Sequence, residues 1–276
     1  MKPFCFAKNE IIESKFASCH PLDIGMIRGY AIFDFFRTVG PNPLFLDDYL
    51  ARFTNSAKSA HLPLSYSRED LADIIHELIA KNELDYGGVR MILSGGISEN
   101  FFTPASGDLF IFCEPLKLPS EEKYKKGVKL LPVEYVRPIP KIKTTNYTLP
   151  CFLSVDWPSQ GAEDVIYHHQ GLVSESSRSN IFMVKEGIIS TPASHILEGI
   201  TRKKVMELAE NVIVRDIQLE ELLDADEVFM TSTTKRILPI TTIGRQVIAT
   251  GKPGNQTMSL MSAFKKMEKS MVFSTR

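Results

Sequence analysis

Long apolar runs are missing from this chain, and so are the spacings that hold metals. No stretch of its 276 residues is apolar for the length of a membrane span, and Met1-Lys2-Pro3-Phe4 opens without the apolar core of a signal peptide. No membrane association and a cytoplasmic location are therefore expected. The four cysteines, Cys5, Cys19, Cys113 and Cys151, show no CxxC or other ligand spacing and read as reduced thiols. The one close histidine pair is His168-His169, and neighbours on a strand point to opposite faces, so no metal site is expected. A formal net charge of -1 gives no bulk attraction to nucleic acid. Repeats and low-complexity tracts are absent as well. What remains is an ordinary globular composition, 43% hydrophobic and 24% charged, long enough for one large or two modest domains.

Periodicity divides the chain. Pro21 to Val39 is apolar and aromatic and reads as an extended segment after a turn at Arg28-Gly29. Asp47 opens a helix with Leu50, Phe53, Ala57 and Ala60 inward. Ser67 and Asp70 form a capping box for a second helix, whose packing face is Leu71, Ile74, Ile75, Leu78 and Ile79. Gly88 to Ser94 and Asp108 to Cys113 read as strands. The charged, proline-bearing stretch that follows is the best linker, giving domains at 1–115 and 128–276 with residues 116–127 between. Strands are then expected at Val128 to Val136, Asp164 to His168, Asn180 to Lys185 and Ala225 to Met230. The strands at Asp164 and Asn180 read as neighbours joined by a turn near Gln170-Gly171. A helix follows Ile200, a hairpin turns at Gly244, and a basic amphipathic helix covers Ser259 to Met271.

Several residues offer chemistry, each beside a plainer reading. Glu175 is a lone acid among Ser174, Ser176, Ser177 and Ser179, followed by Asn180 and the apolar run Ile181 to Val184. A carboxylate among short donors can be kept ionised and aimed at a cation; a serine-rich turn is the plain alternative. Gly199 before Ile200, Thr201 and Arg202 exposes backbone N–H groups that suit a phosphate, or is an ordinary helix start. Thr231, Ser232, Thr233 and Thr234 at a strand end bind an anion or form a turn. Arg52 falls off its helix's apolar stripe and reads alone as a solvated arginine. Arg90, among apolar strand neighbours, needs an anion: a protein carboxylate or a substrate's. Lys141 and Lys143 share one face if extended, and a reactive lysine must be poorly solvated; two surface lysines are the plain alternative.

In order along the chain, these pieces resemble the class IV, or fold type IV, pyridoxal-phosphate enzymes, which include D-amino-acid transaminases, branched-chain aminotransferases and aminodeoxychorismate lyases. The resemblance rests on R28-G-Y, L46-D-D-Y-L-A-R-F, K141-I-K-T-T-N, V173-S-E-S-S-R-S-N-I-F, I196-L-E-G-I-T-R and D226-E-V-F-M-T-S-T-T, from about residue 20 to residue 245. It implies an α/β (α+β) protein of two domains: a smaller N-terminal α/β domain, a larger C-terminal α/β domain around a barrel-like sheet, and pyridoxal 5'-phosphate between them. Lys143 matches the lysine that forms the Schiff base and shuttles the proton. Glu175 matches the acid at the pyridine nitrogen, and Arg52 the arginine on the cofactor phosphate. Ile200, Thr201, Ser232 and Thr233 match the rest of the phosphate cup, and Asn180 a position near the ring. The implied partners are an amino acid, a 2-oxo acid and a second copy of the chain, since family members are mostly homodimers.

The substrate motifs fit less closely. The aromatic residue and glutamate that follow a G-D-G turn in D-amino-acid transaminases are replaced by F33-D-F-F-R-T, with Arg37 at the aromatic's place, and their R-x-H pair by Asn100 and Phe102. The V-F-E-G segment of branched-chain enzymes is absent too, though G-V-R-M around Arg90 resembles theirs. A transaminase must still hold its substrate's carboxylates. Arg90 is the first choice, then Arg28 and Arg37, with Arg28 able to act across a dimer. Two arginines would suit dicarboxylates such as glutamate and 2-oxoglutarate. The K-x-x-N form favours transamination between a D-amino acid and a 2-oxo acid. The alternatives are aminodeoxychorismate lyase, then a branched-chain L-amino-acid aminotransferase, then a non-catalytic binder of a phosphorylated ligand.

Overall fold

The computed structural model describes residues 2–273, and these divide into two compact units. One takes in what is described up to Lys117 together with Ile142–Asn146; the other runs through Leu118–Lys141 and Tyr147–Ser270. The short segment carrying Lys143 thus belongs with the N-terminal unit rather than with the stretch from residue 128 onward.

The first unit contains, in chain order, β1 (Phe4–Ala7), β2 (Glu10–Glu13), α1 (Ile24–Ile27), β3 (Ile32–Val39), β4 (Asn42–Pro43), α2 (Leu46–Ser59), α3 (Arg68–Lys81), β5 (Tyr86–Leu93) and β6 (Leu109–Glu114). Its strands form one antiparallel sheet in the order β2-β1-β6-β5-β3-β4. Alternation sorts the side chains: Val89, Met91, Ile111 and Cys113 are fully buried on one face. Leu50, Phe53, Leu71, Ile75 and Leu78 of the helices are buried too, as their 3.6-residue spacing predicts. The Ser67–Asp70 capping box is formed in both directions, at 3.1 and 2.8 Å. The stretch from Pro21 is not extended throughout. Asp23 caps the single turn α1 by accepting the Gly25 N–H at 2.6 Å, a local bond that outcompetes the extended backbone.

The second unit contains α4 (Glu121–Lys126), β7 (Val128–Glu134), α5 (Thr148–Leu153), β8 (Asp164–His169), β9 (Leu172–Ser176), β10 (Asn180–Lys185) and β11 (Ile188–Thr191). It continues with α6 (Ile200–Leu208), β12 (Ile213–Val214), α7 (Leu219–Leu223), β13 (Glu227–Ser232), β14 (Arg236–Ile243), β15 (Gln246–Val247) and, as far as Ser270, α8 (Asn255–Phe273), whose described residues from Met271 on are grouped with the first unit. Its sheet runs β12-β11-β10-β13-β14-β7-β8-β9, and β9 pairs back to β10, so the central strands close into a barrel-like ring. Ile181, Met183, Val228, Met230, Leu238 and Ile240 pack together on one side of it. Phe182 and Phe229 stack on the other at 4.9 Å.

Two sequence expectations change here. The 116–127 stretch is not a bare linker, because α4 lies within it and Tyr124 donates to the Lys235 carbonyl at 3.0 Å. The strands at Asp164 and Asn180 are not direct neighbours, because β9 intervenes between them. Its Ser174, Glu175 and Ser176 look like turn residues, yet all three are buried and their backbone is taken up by the barrel.

Candidate active site

In the first unit the candidate residues gather on β3. Lys141 is exposed, Ile142 buried and Lys143 half-buried, so one lysine of the pair is drawn in. The segment is stitched to β3 by backbone: Phe33 N–H donates to the Lys143 carbonyl and Thr145 N–H to the Ala31 carbonyl, both at 2.9 Å. Ile32 and Thr144 form a bridge between those bonds. Held this way, Lys143 Nζ lies 4.6 Å from the centroid of the Phe33 ring, a cation–π distance.

Alternation on β3 separates Asp34 from Phe33 and Phe35. Asp34 is fully buried and accepts from Arg52 Nε at 2.9 Å, from Arg52 Nη2 at 2.6 Å and from Phe35 N–H at 2.8 Å. Arg52 also lies over the Tyr49 ring at 5.3 Å. With 12% of its side chain exposed, Arg52 is not the solvated helix arginine that its position off the stripe suggests. A buried carboxylate across from the helix draws it in.

On the Phe33 and Phe35 side, Arg90 is half-buried, and the protein carboxylate alternative is the one realised. Arg90 Nη2 donates to Glu114 Oε1 at 2.5 Å and Nε to Oε2 at 3.2 Å. The guanidinium lies 5.4 Å from the Phe33 centroid and 4.9 Å from that of Phe35. Arg37 follows Phe35 on the same face and is 3% exposed. Arg28 is exposed and donates through Nε to the Phe101 carbonyl at 3.3 Å.

In the second unit the centre is Glu175 on β9, 5% exposed. Its Oε1 accepts from Arg137 Nε at 2.9 Å, its Oε2 from Leu197 N–H at 2.8 Å, and Arg137 donates also to the Pro140 carbonyl. Asn180 stands opposite Glu175 across the strand pair and donates through Nδ2 to the Leu197 carbonyl at 2.7 Å. Gly199 caps α6 without a side chain, leaving the Ile200 and Thr201 N–H groups for an outside acceptor. An added Cβ at Gly199 would overlap Asn180 Oδ1, so any larger residue there forces Asn180 or α6 to shift.

The Ser232 to Thr234 loop, half-buried, is anchored behind. Ser232 Oγ accepts from Lys235 N–H at 3.2 Å, and Lys235 Nζ pairs with the fully buried Asp164 at 2.9 Å. Ser177 Oγ donates to the same carboxylate at 2.5 Å. Burial pushes the Asp164 carboxyl up, but Lys235, Arg178 and Ser177 outweigh it and hold it below the usual carboxylate range.

Sequence reasoning placed its candidates in both units but missed what holds them: Asp34, Glu114, Arg137, Asp164 and Lys235. The signal was weak, single charges inside apolar or hydroxyl-rich stretches whose partners are far away in the chain.

Comparison with known proteins defines the class. Residues 31–243 match the family model of class IV amino-transferases. A D-alanine aminotransferase of Bacillus licheniformis is 30% identical over 251 residues, 87% of this chain and 88% of the relative. An aminodeoxychorismate lyase of Bacillus subtilis is 27% identical over 281 residues, covering 97% and 95%. Among solved structures, the branched-chain amino acid aminotransferase from Escherichia coli superimposes with a TM-score of 0.86 at 25% identity, covering 96% and 93% of the two chains. The chain belongs to the class IV amino-transferases.

Proposed function

We propose that this protein moves an amino group between a D-amino acid, of the D-alanine or D-glutamate type, and a 2-oxo acid such as pyruvate or 2-oxoglutarate. Class IV aminotransferases use pyridoxal 5'-phosphate, and that is the cofactor of this reading. When bound, it supplies an aldehyde that condenses with amines and a ring that accepts electrons from the α-carbon.

The donor set fits such a group. Glu175 keeps acceptor capacity beyond the two bonds it makes, and suits a protonated ring nitrogen. The Ile200 and Thr201 N–H groups, the Thr201 hydroxyl, Ser232 and Thr233 are donors suited to a phosphate. The Ser176, Ser179 and Thr231 hydroxyls are buried without a hydrogen-bond partner, which suits a site built for a polar ligand.

What supports the reading above all is the setting of Lys143. Its amine lies against an aromatic ring while its backbone is fixed at both sides, as a group that must hold and return a proton at Nζ requires. Preference for D-amino acids is supported by the 30% identity to the D-alanine enzyme. Likeness to the lyase and to branched-chain enzymes keeps pyruvate elimination and L-amino-acid transfer as outcomes of the test. A cytoplasmic homodimer is part of the same reading, supported by the exposed Met26, Phe101 and Phe102 near Arg28 and by four free cysteines.

Borohydride reduction and peptide mapping should label Lys143. The holoenzyme mixed in turn with D-alanine, D-glutamate, L-leucine and aminodeoxychorismate should change absorbance with the D-amino acids. A label elsewhere, or a response to L-leucine or aminodeoxychorismate alone, overturns the proposal.

A further inference from the structure

We infer that Glu114 sets the order of preference among the substrates this enzyme accepts, by cancelling the charge of Arg90 and so ranking those with a second carboxylate below those without one. The inference rests on the reading of Lys143 as the lysine at the reacting centre.

The geometry is contained within one unit. Phe33 presents its ring to both cations: Lys143 Nζ is 4.6 Å and Arg90 Cζ 5.4 Å from the same centroid. Arg90 therefore lies no farther from Lys143 than those two distances together. A substrate whose α-carbon is within proton-transfer reach of Nζ, about 3 Å, and whose side chain runs along the Phe33 ring comes up to Arg90 on this same face. Phe35, Ile92, Phe110 and Phe112 also belong to it, by alternation and by the registers Phe35↔Arg90, Ile92↔Phe110 and Arg90↔Phe112. It is an apolar, aromatic face on which Arg90 carries the accessible guanidinium, since Arg37, on the same face, is only 3% exposed.

An unopposed arginine there would bind the distal carboxylate of a dicarboxylic acid. This arginine is opposed. Glu114 takes two of its N–H groups, and the pair is mostly shielded, with 28% and 25% of the two side chains exposed. A second carboxylate arriving beside Arg90 meets a neutral pair and the negative end of Glu114 nearby. A short or branched apolar side chain meets only rings and methyl groups. Arg90 is then a positioned wall of the pocket, stacked on Phe33 and Phe35, rather than a charge trap.

The test uses 2-oxo acids, which have no handedness at the α-carbon, so it reads charge preference apart from D or L selectivity. Holoenzyme in the pyridoxamine phosphate form is mixed with pyruvate, 2-oxoisocaproate or 2-oxoglutarate and kcat/KM is taken from the absorbance change. The wild type should favour the two monocarboxylates. Glu114→Gln, which keeps the size and an acceptor oxygen, should raise the 2-oxoglutarate value tenfold or more and leave the monocarboxylates within twofold. Adding Arg90→Met should erase the gain. Independently of turnover, calorimetry should show glutarate binding tightened by Glu114→Gln and butyrate binding unchanged. A 2-oxoglutarate to pyruvate ratio that Glu114→Gln does not move, in an active wild type, overturns the inference alone. A wild type that converts no 2-oxo acid and carries no label on Lys143 overturns the functional reading, and the inference with it.

Discussion

Glu175 and Asn180 face each other where β9 meets β10, and both bond the same residue: Glu175 accepts the N–H of Leu197 and Asn180 donates to its carbonyl. The barrel's closing contact and the approach to α6 are thus fastened at one residue. Asn180→Ala leaves the Leu197 carbonyl unpaired. Losing one hydrogen bond and stranding its partner costs about 1–3 kcal/mol. Urea unfolding should show that loss, and equilibrium dialysis should show weaker retention of pyridoxal phosphate.

Gly199→Ala acts on the same contact from the other side. Its methyl would overlap Asn180 Oδ1, so Asn180 must leave Leu197 or α6 must shift. The expected outcome is destabilisation at least as large as that of Asn180→Ala. The double variant should lose little more than Gly199→Ala, because both changes break one bond.

Asp34 and Arg52 form a nearly closed pair in the first unit. Asp34→Ala leaves a largely buried guanidinium without its carboxylate, a change that costs about 3–5 kcal/mol. Thermal unfolding should fall accordingly. Asp34→Asn, which keeps the shape and one acceptor oxygen but not the charge, should lower the unfolding temperature less than Asp34→Ala does.

The Lys235–Asp164 pair gives a pH signature. Asp164 is held below its ordinary range in the folded protein, so its stabilising contribution is complete above the unfolded carboxylate pKa of about 3.9 and is lost as pH falls through the lower folded value. The melting temperatures of wild type and Asp164→Asn should differ most near neutral pH and converge in acid. A gap that is constant with pH would mean that the carboxylate charge contributes nothing.

Gly88 lies under the ring of Phe35, and a Cβ there would overlap the ring's far edge. Gly88→Ala should push that ring aside and disturb the stack under Arg90. The change should alter preference among 2-oxo acid side chains more than overall rate, measured as the ratio of kcat/KM for 2-oxoisocaproate and pyruvate.

Much of this protein is written in short stretches of sequence. The faces of α2 and α3, the cap at Ser67, the strand around Arg90 and the turn at Gly244 are legible because 3.6-residue and 2-residue periods need only local neighbours. The same holds for the glycine that starts α6, and for the motifs around Lys143 and Glu175 that resemble a known family. The tertiary structure alone decided the partners: that Arg52 answers Asp34, that Arg90 answers Glu114, that Glu175 answers Arg137, and that Lys235 reaches Asp164. It also made a strand of Leu172–Ser176, whose serines and glutamate suggest a turn. The physical reason is common to all of these. A charge in a sequence fixes only that burial will require a counter-charge, and which one it meets depends on segments brought together from far apart in the chain.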